Sequence, residues 1–206
     1  MNELAVNFWH RLIEWDQYLF QLINGKGANS FFDAVMPFLR NSSVWAPLYL
    51  FLLVFIWVNF RLKGLWWAVF FLSTVALTDM TGTYIFKHNI ERYRPCSDPD
   101  FYMHVRLVIN QCAGGYSFIS NHAANHFGMA VFFLLTMKKN IGKWSWIGIF
   151  WAAAIAYAQV YVGVHYPLDV LAGALVGIFI GSLTASLFNK RFRFAIFDDQ
   201  PTYTWS

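Results

Sequence analysis

Charged residues are scarce in this sequence. Asp, Glu, Lys and Arg make up 13% of its 206 positions, about half the share that soluble globular domains carry. That deficit excludes an ordinary water-soluble domain. The few basic residues form short clusters between apolar runs. No basic stripe with interleaved aromatics lies in a polar segment, so nucleic acid is excluded as a partner. The opening residues, Met1-Asn2-Glu3, offer neither a positive n-region nor a small-residue cleavage site. No cleaved signal peptide is therefore expected. His122 and His126 share one helix face but have no third ligand nearby, so neither a metal centre nor a cofactor is expected.

Apolar surface is what the sequence has in abundance. Hydrophobic residues reach 58% and aromatics 20%, gathered into runs of about 17 to 25 residues, the length that crosses a bilayer. Five such runs stand out, at 44–60, 65–86, 116–137, 144–163 and 168–188. Trp45, Trp57, Trp66, Trp67, Trp144 and Trp146 cluster near their ends, where an interfacial aromatic belt belongs. The pattern predicts an all-α polytopic bundle, residues 43–190, within one membrane-embedded domain. Residues 4–24 alternate apolar positions with His10, Arg11, Glu14, Asp16 and Gln17. That is too much charge for hydrocarbon, which leaves an amphipathic helix in the interface or a helix against the bundle's side. Residues 30–40 predict a second short helix that Pro37 bends or interrupts. Residues 1–42 form an N-terminal region and 191–206 a tail.

Basic residues orient the spans. Arg61 and Lys63 follow the first run, Lys138, Lys139 and Lys143 the third, and Lys190, Arg191 and Arg193 the fifth. All three groups fall on one side, assigned to the cytoplasm by the positive-inside rule. The loop at 87–115 then lies outside, yet it carries Lys87, Arg92, Arg94 and Arg106. A cationic cluster on the wrong side points to an anion.

Three segments on that face hold the unusual polar residues. Lys87 and Arg94, at the exit of the second run, supply a point charge and a planar fork for one anion, with Pro95 stopping the helix. Ser120, Asn121 and His122 open the third run. Backbone N–H groups at a helix start bind anions, Ser120 adds a donor, and His122 is placed to protonate a leaving oxygen. Ser120 or Asn121 as a plain N-cap is the alternative. His165 and Asp169 join the fourth and fifth runs, where a carboxylate can fix one tautomer of the imidazole and free its other nitrogen to attack. Asp79, inside the second run, reads as structural support. Gly173, Gly177 and Gly181 recur every four residues, which permits close helix packing within the monomer or in a homodimer. Cys96 and Cys112 flank the polar part of the outer loop, and on an oxidising face a disulfide between them is expected.

These residues resemble the type 2 phosphatidic acid phosphatase superfamily over roughly residues 40 to 190. The first family motif, Lys, six residues, Arg-Pro, is matched by Lys87 to Pro95. The second, Pro-Ser-Gly-His, is matched by Ser120 and His122, with Ile119 and Asn121 in the other places. The third, Ser-Arg, five residues, His, three residues, Asp, is matched by His165 and Asp169, but Ala158 and Gln159 replace its Ser-Arg pair. The resemblance implies a metal-independent lipid phosphatase. His165 is its nucleophile, forming a phosphohistidine, Asp169 orients the ring, and His122 is the general acid and base. Lys87, Arg94, Ser120, the backbone near Asn121 and Gln159 hold the phosphoryl oxygens. Because Gln159 lacks the family's positive charge, Arg92 and Arg106 are the loop cations expected to fill in. Polyprenyl diphosphate is expected first among substrates, ahead of phosphatidate, phosphatidylglycerol phosphate and a lipid A phosphate. A bacterial plasma membrane with the site facing the periplasm is the expected location. Two rivals are a lipid phosphotransferase using the same histidine and a non-catalytic lipid-phosphate binding protein.

Overall fold

The computed structural model describes residues 3–192 and residue 194. It is all-helical, with no strand among the described residues. Helix α1, Glu3–Gln21, ends in a wide turn at Leu22–Lys26. Helix α2, Ser30–Arg40, starts where the Asn29 side chain accepts from the Phe32 N–H. Contrary to expectation, α2 runs through Pro37 as one helix.

Helix α3, Ala46–Met80, contains the first two expected runs. At Arg61 the backbone leaves the helical region, with φ 52° and ψ −127°. A Cβ on Gly64 would collide with the Ile56 carbonyl eight residues earlier, a separation of about 12 Å in a straight helix. The chain therefore doubles back on itself at Arg61, and only glycine lets the two arms approach so closely. The second arm continues through a π-helical stretch, Thr81–Lys87, into the short turn α4, His88–Ile90.

Helices α5, Asn121–Ile141, α6, Ile147–Tyr161, and α7, Pro167–Phe192, complete the bundle. The third apolar run begins at residue 116, but α5 starts five residues later, where Ser120 adopts an extended conformation and its side chain accepts from the Ala123 N–H, the N-cap that the sequence offered as an alternative for it. The fourth run likewise narrows to Ile147–Tyr161, preceded by a tight 3-10 turn at Gly142–Trp146.

At the centre α7 lies against α5. A Cβ on Gly173, Gly177 or Gly181 would strike the carbonyl of Ser120, Ala124 or Gly128 in turn. The glycine repeat is thus consumed inside the monomer and carries no argument for a dimer. The second arm of α3 packs on this pair through buried hydroxyl contacts, Thr74 to Thr184 at 2.7 Å and Trp67 Nε1 to Thr136 Oγ1 at 2.8 Å. Its first arm turns Leu50, Phe51, Val54, Phe55, Trp57 and Val58 outward. Such a face suits hydrocarbon and would be costly in water. Among the described residues, two helical stretches are long and apolar enough to cross a membrane, Ser42–Ser97, which holds the hairpin, and Pro167–Phe192.

Helix α1 lies against the bundle's side along one edge. Asp16 and Phe20 are buried against the bundle, while Phe8, Trp9, Trp15 and Tyr18 stay exposed. The helix is pinned at one edge and presents its remaining apolar side to its surroundings. Of the expected tail, 191–206, all but Arg191, Phe192 and Phe194 lies outside the described residues.

Candidate active site

One end of the bundle gathers three segments that the sequence keeps apart. These are the exit of α3 with its loop, the start of α5, and the turn between α6 and α7. His165 sits on that turn and is 3% exposed. Arg94 Nη1 lies 3.0 Å from its Nε2. A guanidinium has only donors, so Nε2 must present its lone pair and the ring proton must sit on Nδ1. Burial is the main force lowering the His165 pKa from 6.5 to about 4, with the Asp169 contact opposing it. The imidazole is therefore neutral near pH 7, as a nucleophile must be.

On the Nδ1 side, Asp169 Oδ2 is 3.6 Å away, too far for a hydrogen bond. Ser117 closes the gap. Its Oγ lies 3.3 Å from His165 Nδ1 and donates to Asp169 Oδ2 at 2.5 Å. Ser117 belongs to a segment the sequence singles out, but nothing in its spacing marks it as the intermediary. Asp169, wholly buried, also accepts from the Tyr166 N–H at 2.8 Å and from Arg92 Nη1 at 2.7 Å.

Arg92 therefore does not replace the charge missing at position 159. Its other arm donates to Asp16 Oδ2 at 2.6 Å, and its plane covers the Tyr166 ring at 4.1 Å. Asp16 in turn accepts from the Leu168 N–H at 2.8 Å, capping α7 from outside. Arg106 is engaged elsewhere too, on Asp33 at 2.7 Å and on Asn24. Both loop cations are committed to carboxylates. The side chain that meets Gln159 is Arg40, from α2, whose Nε donates to Gln159 Oε1 at 3.4 Å.

Arg94 is held by the carbonyls of Val164, Gly114 and Gly115 as well as by His165. The disulfide Cys96–Cys112, with Cα atoms 5.8 Å apart, encloses the loop next to it. Lys87 lies within coulombic range of Arg94 and Asp169. Ser120 is buried. Its N–H donates to the Asp169 carbonyl at 3.0 Å, and its oxygen accepts from the Ala123 N–H at 3.4 Å, which leaves the hydroxyl proton to give.

The Asn121 side chain turns away from this cluster. It donates to Asp79 Oδ1 and Thr83 Oγ1, both at 2.9 Å, so it ties α5 to α3 rather than facing an anion. Asp79 also accepts from Asn125 at 3.3 Å, the supporting place the sequence suggested for it. His122, on the first turn of α5, lies within coulombic range of His165 and Lys87. Its ring stacks almost parallel to that of His126, 6.2 Å away. Both nitrogens of His126 are taken, by Tyr49 at 3.0 Å and by the His122 carbonyl at 2.7 Å. No group of three His, Cys, Asp or Glu among the described residues is arranged to hold a metal.

Residues 67–193 match the family model of the PAP2 superfamily. The chain belongs to the PAP2 superfamily. Among curated proteins it is 31% identical to the lipid A 4'-phosphatase of Bacteroides thetaiotaomicron over 177 residues, covering 84% of this chain and 76% of that one. It is 32% identical to the undecaprenyl-diphosphatase of Sulfolobus acidocaldarius over 173 residues, covering 82% and 76%. Among solved structures it resembles Aquifex aeolicus LpxE, with TM-score 0.59, 26% identity, and coverage of 82% of this chain and 93% of that one. It shares its fold with the first transmembrane PAP2 type phosphatidylglycerolphosphate phosphatase of Bacillus subtilis, with TM-score 0.68, 20% identity, and coverage of 90% of each chain. This PAP2 protein is thus an integral membrane protein. It brings Lys87, Arg94, Ser120, His122, His165 and Asp169 to one end of its bundle. Ser117, Asp16 and Arg40 join them without having been assigned there from the sequence, and Arg92 joins them as the partner of Asp169 and Asp16 rather than as the phosphate cation expected of it.

Proposed function

We propose that this PAP2 protein is a membrane lipid phosphatase that works through a phosphohistidine at His165. The observation that carries the reading is the orientation of that ring: its Nε2 lone pair faces the Arg94 guanidinium, while Nδ1 faces Ser117 and Asp169. A phosphoryl group held by Lys87, the Ser120 hydroxyl and Arg94 stands in front of Nε2; Arg94 Nη1 then gives its hydrogen bond to a phosphoryl oxygen instead of Nε2, which frees the ring's lone pair. Nε2 forms the bond to phosphorus as the bond from phosphorus to the lipid oxygen breaks, and His122 gives that oxygen a proton. Positive charge arising on the imidazole is stabilised by Asp169 through Ser117. In the second half, His122 takes a proton from water, the water oxygen attacks phosphorus, and the N–P bond breaks to release inorganic phosphate. The donors are fixed before charge moves, which is where such sites gain most.

The lipid portion of the substrate has a place to lie. An apolar cavity of about 370 Å³ opens between the first arm of α3, α5 and α6, lined by Tyr49, Leu52, Phe133 and Trp151 among others. Tyr49 and Trp151 both touch His126, so the cavity adjoins the side from which His122 protonates the leaving group. A lipid A phosphate and polyprenyl diphosphate are the first two substrates to try, because lipid A 4'-phosphatases and an undecaprenyl-diphosphatase each align with more than four fifths of the chain.

Phosphate release from a panel of lipid phosphates in detergent, with EDTA present, tests the reading. Release is expected to survive EDTA and to vanish in His165→Ala. Transfer of phosphate to an acceptor lipid with little free phosphate would identify a phosphotransferase instead. Binding of substrate without release, unaltered in His165→Ala, would show a binding protein.

A further inference from the structure

We infer that Arg40 and Gln159 form a phosphate-binding pair, in which α2 supplies the cation that position 159 lacks. The ligand class rests on the phosphatase reading above; the pair itself rests on the side chains. Gln159 is completely buried. Because arginine can only donate, the atom facing Arg40 Nε must be the carboxamide oxygen, and this fixes the amide's orientation. Its Nε2 is then a buried donor with no partner among the described residues. A buried donor left unmade costs about 1–3 kcal/mol, so an acceptor is called for.

Arg40 supplies the second half of the argument. No carboxylate among the described residues pairs with it, nor with Lys87 or Arg94. Yet Arg40 lies within coulombic range of both Arg94 and His122. Asp169 is the nearby carboxylate for Arg94 and Lys87, but it is already ion-paired with Arg92, so a phosphoryl group between the cations adds attraction where they repel one another. Arg40 is also well placed rather than loosely tethered. Met36, Phe32, Val35 and Leu39 pack against Ala158, Tyr161 and Val162. The Tyr161 hydroxyl donates to Asp33 at 2.7 Å, and Trp45 Nε1 donates to the Leu39 carbonyl at 2.8 Å. The C-terminal end of a helix also favours a cation electrostatically. Position 40 lies outside residues 67–193, the part matched by the family model, so a motif search does not encounter it.

The pair has two functions to distinguish: gripping phosphate, or merely pinning α2 to α6. The probe is inorganic phosphate, its binding followed by calorimetry on the full chain in detergent, alongside kcat and KM for lipid phosphate release. Arg40→Gln is expected to weaken phosphate binding about tenfold and to lower kcat/KM about 30-fold or more, since losing one donor to a developing oxyanion costs about 10²–10³ in kcat. Arg40→Lys should fall between. The charge-relocated double variant Arg40→Gln/Gln159→Arg should recover most of the loss, which places the requirement on the cation rather than on position 40. Gln159→Leu, which keeps Arg40, should weaken phosphate binding about threefold to tenfold.

Phosphate binding within twofold of wild type in both Arg40→Gln and Gln159→Leu would overturn the inference. If Arg40→Gln does not fold, unaltered phosphate binding in Arg40→Lys and Gln159→Leu has the same force. His165→Ala separates the two readings. If it keeps binding phosphate but releases none, the nucleophile stands whatever Arg40 does. If it still releases phosphate, the phosphohistidine reading fails while the binding data judge Arg40 alone.

Discussion

At the residue scale the proposed chemistry rests on a single imidazole, and what fixes that ring is a hydroxyl. Ser117 lies between His165 Nδ1 and Asp169, which are 3.6 Å apart. Ser117→Ala should therefore lower kcat about 10–100-fold, the usual cost of losing a group that orients a reacting imidazole. KM should change less than threefold, because Ser117 lies behind the ring. Equal kcat in the two proteins would remove Ser117 from the mechanism. The ring should also titrate abnormally. Burial depresses its pKa to about 4, so as pH falls through 6.5 it stays neutral and takes a proton only near 4. Histidine C2 hydrogen–deuterium exchange followed by mass spectrometry should place its midpoint well below 6, and a midpoint near 6.5 would contradict the buried site. His165, Asp169, Lys87 and Arg94 were legible in the sequence because ionisable residues at span ends are few and stand out. Ser117 and Arg40 were not, since a serine in a loop and an arginine after a short helix look ordinary until folding brings them to the site.

At the scale of elements, the long helices could be read from apolar run length, and their exact starts could not. Ser120 in an extended conformation begins α5 five residues later than hydropathy suggests. Hydropathy measures burial in lipid, not the backbone angles at which a helix begins. Partners within the charged loop were equally hidden. Arg92 and Arg106 look like free cations in the sequence, yet both are neutralised by carboxylates on α1, α2 or α7. Arg92→Ala should strand two buried carboxylates, Asp16 and Asp169, and destabilise the fold by about 3 kcal/mol. That is the low end for breaking a buried pair, because the Arg92 side chain is 21% exposed. Thermal unfolding in detergent checks it, and Asp16→Asn should cost less. The α5–α7 contact makes a separate demand. Gly177→Ala should cost about 1–3 kcal/mol through overpacking against the Ala124 carbonyl, read from the same unfolding curves.

For the whole molecule, the clusters of Lys and Arg predict a direction of insertion. A single cysteine placed at the exposed Met103 should react with a membrane-impermeant maleimide on intact cells, and one at Lys139 should not. The opposite pattern would invert the bundle and put the site on the cytoplasmic side. The all-helical class and the single catalytic end were legible because both follow from the order of apolar runs and polar interruptions. How α1 and α2 join that end was not, because their attachments are made by individual side chains, Asp16, Asp33 and Arg40, that no periodicity reveals.

The Arg92 fork gives this joining a further consequence. One arm holds the carboxylate that steadies the catalytic ring, and the other holds the helix whose exposed apolar side rests in its surroundings. Lifting α1 away therefore cannot be a local event. It removes the carboxylate that caps α7 and leaves the guanidinium with Asp169 as its remaining ion-pair partner. The seating of α1 and the seating of Asp169 are thereby set by the two arms of one side chain.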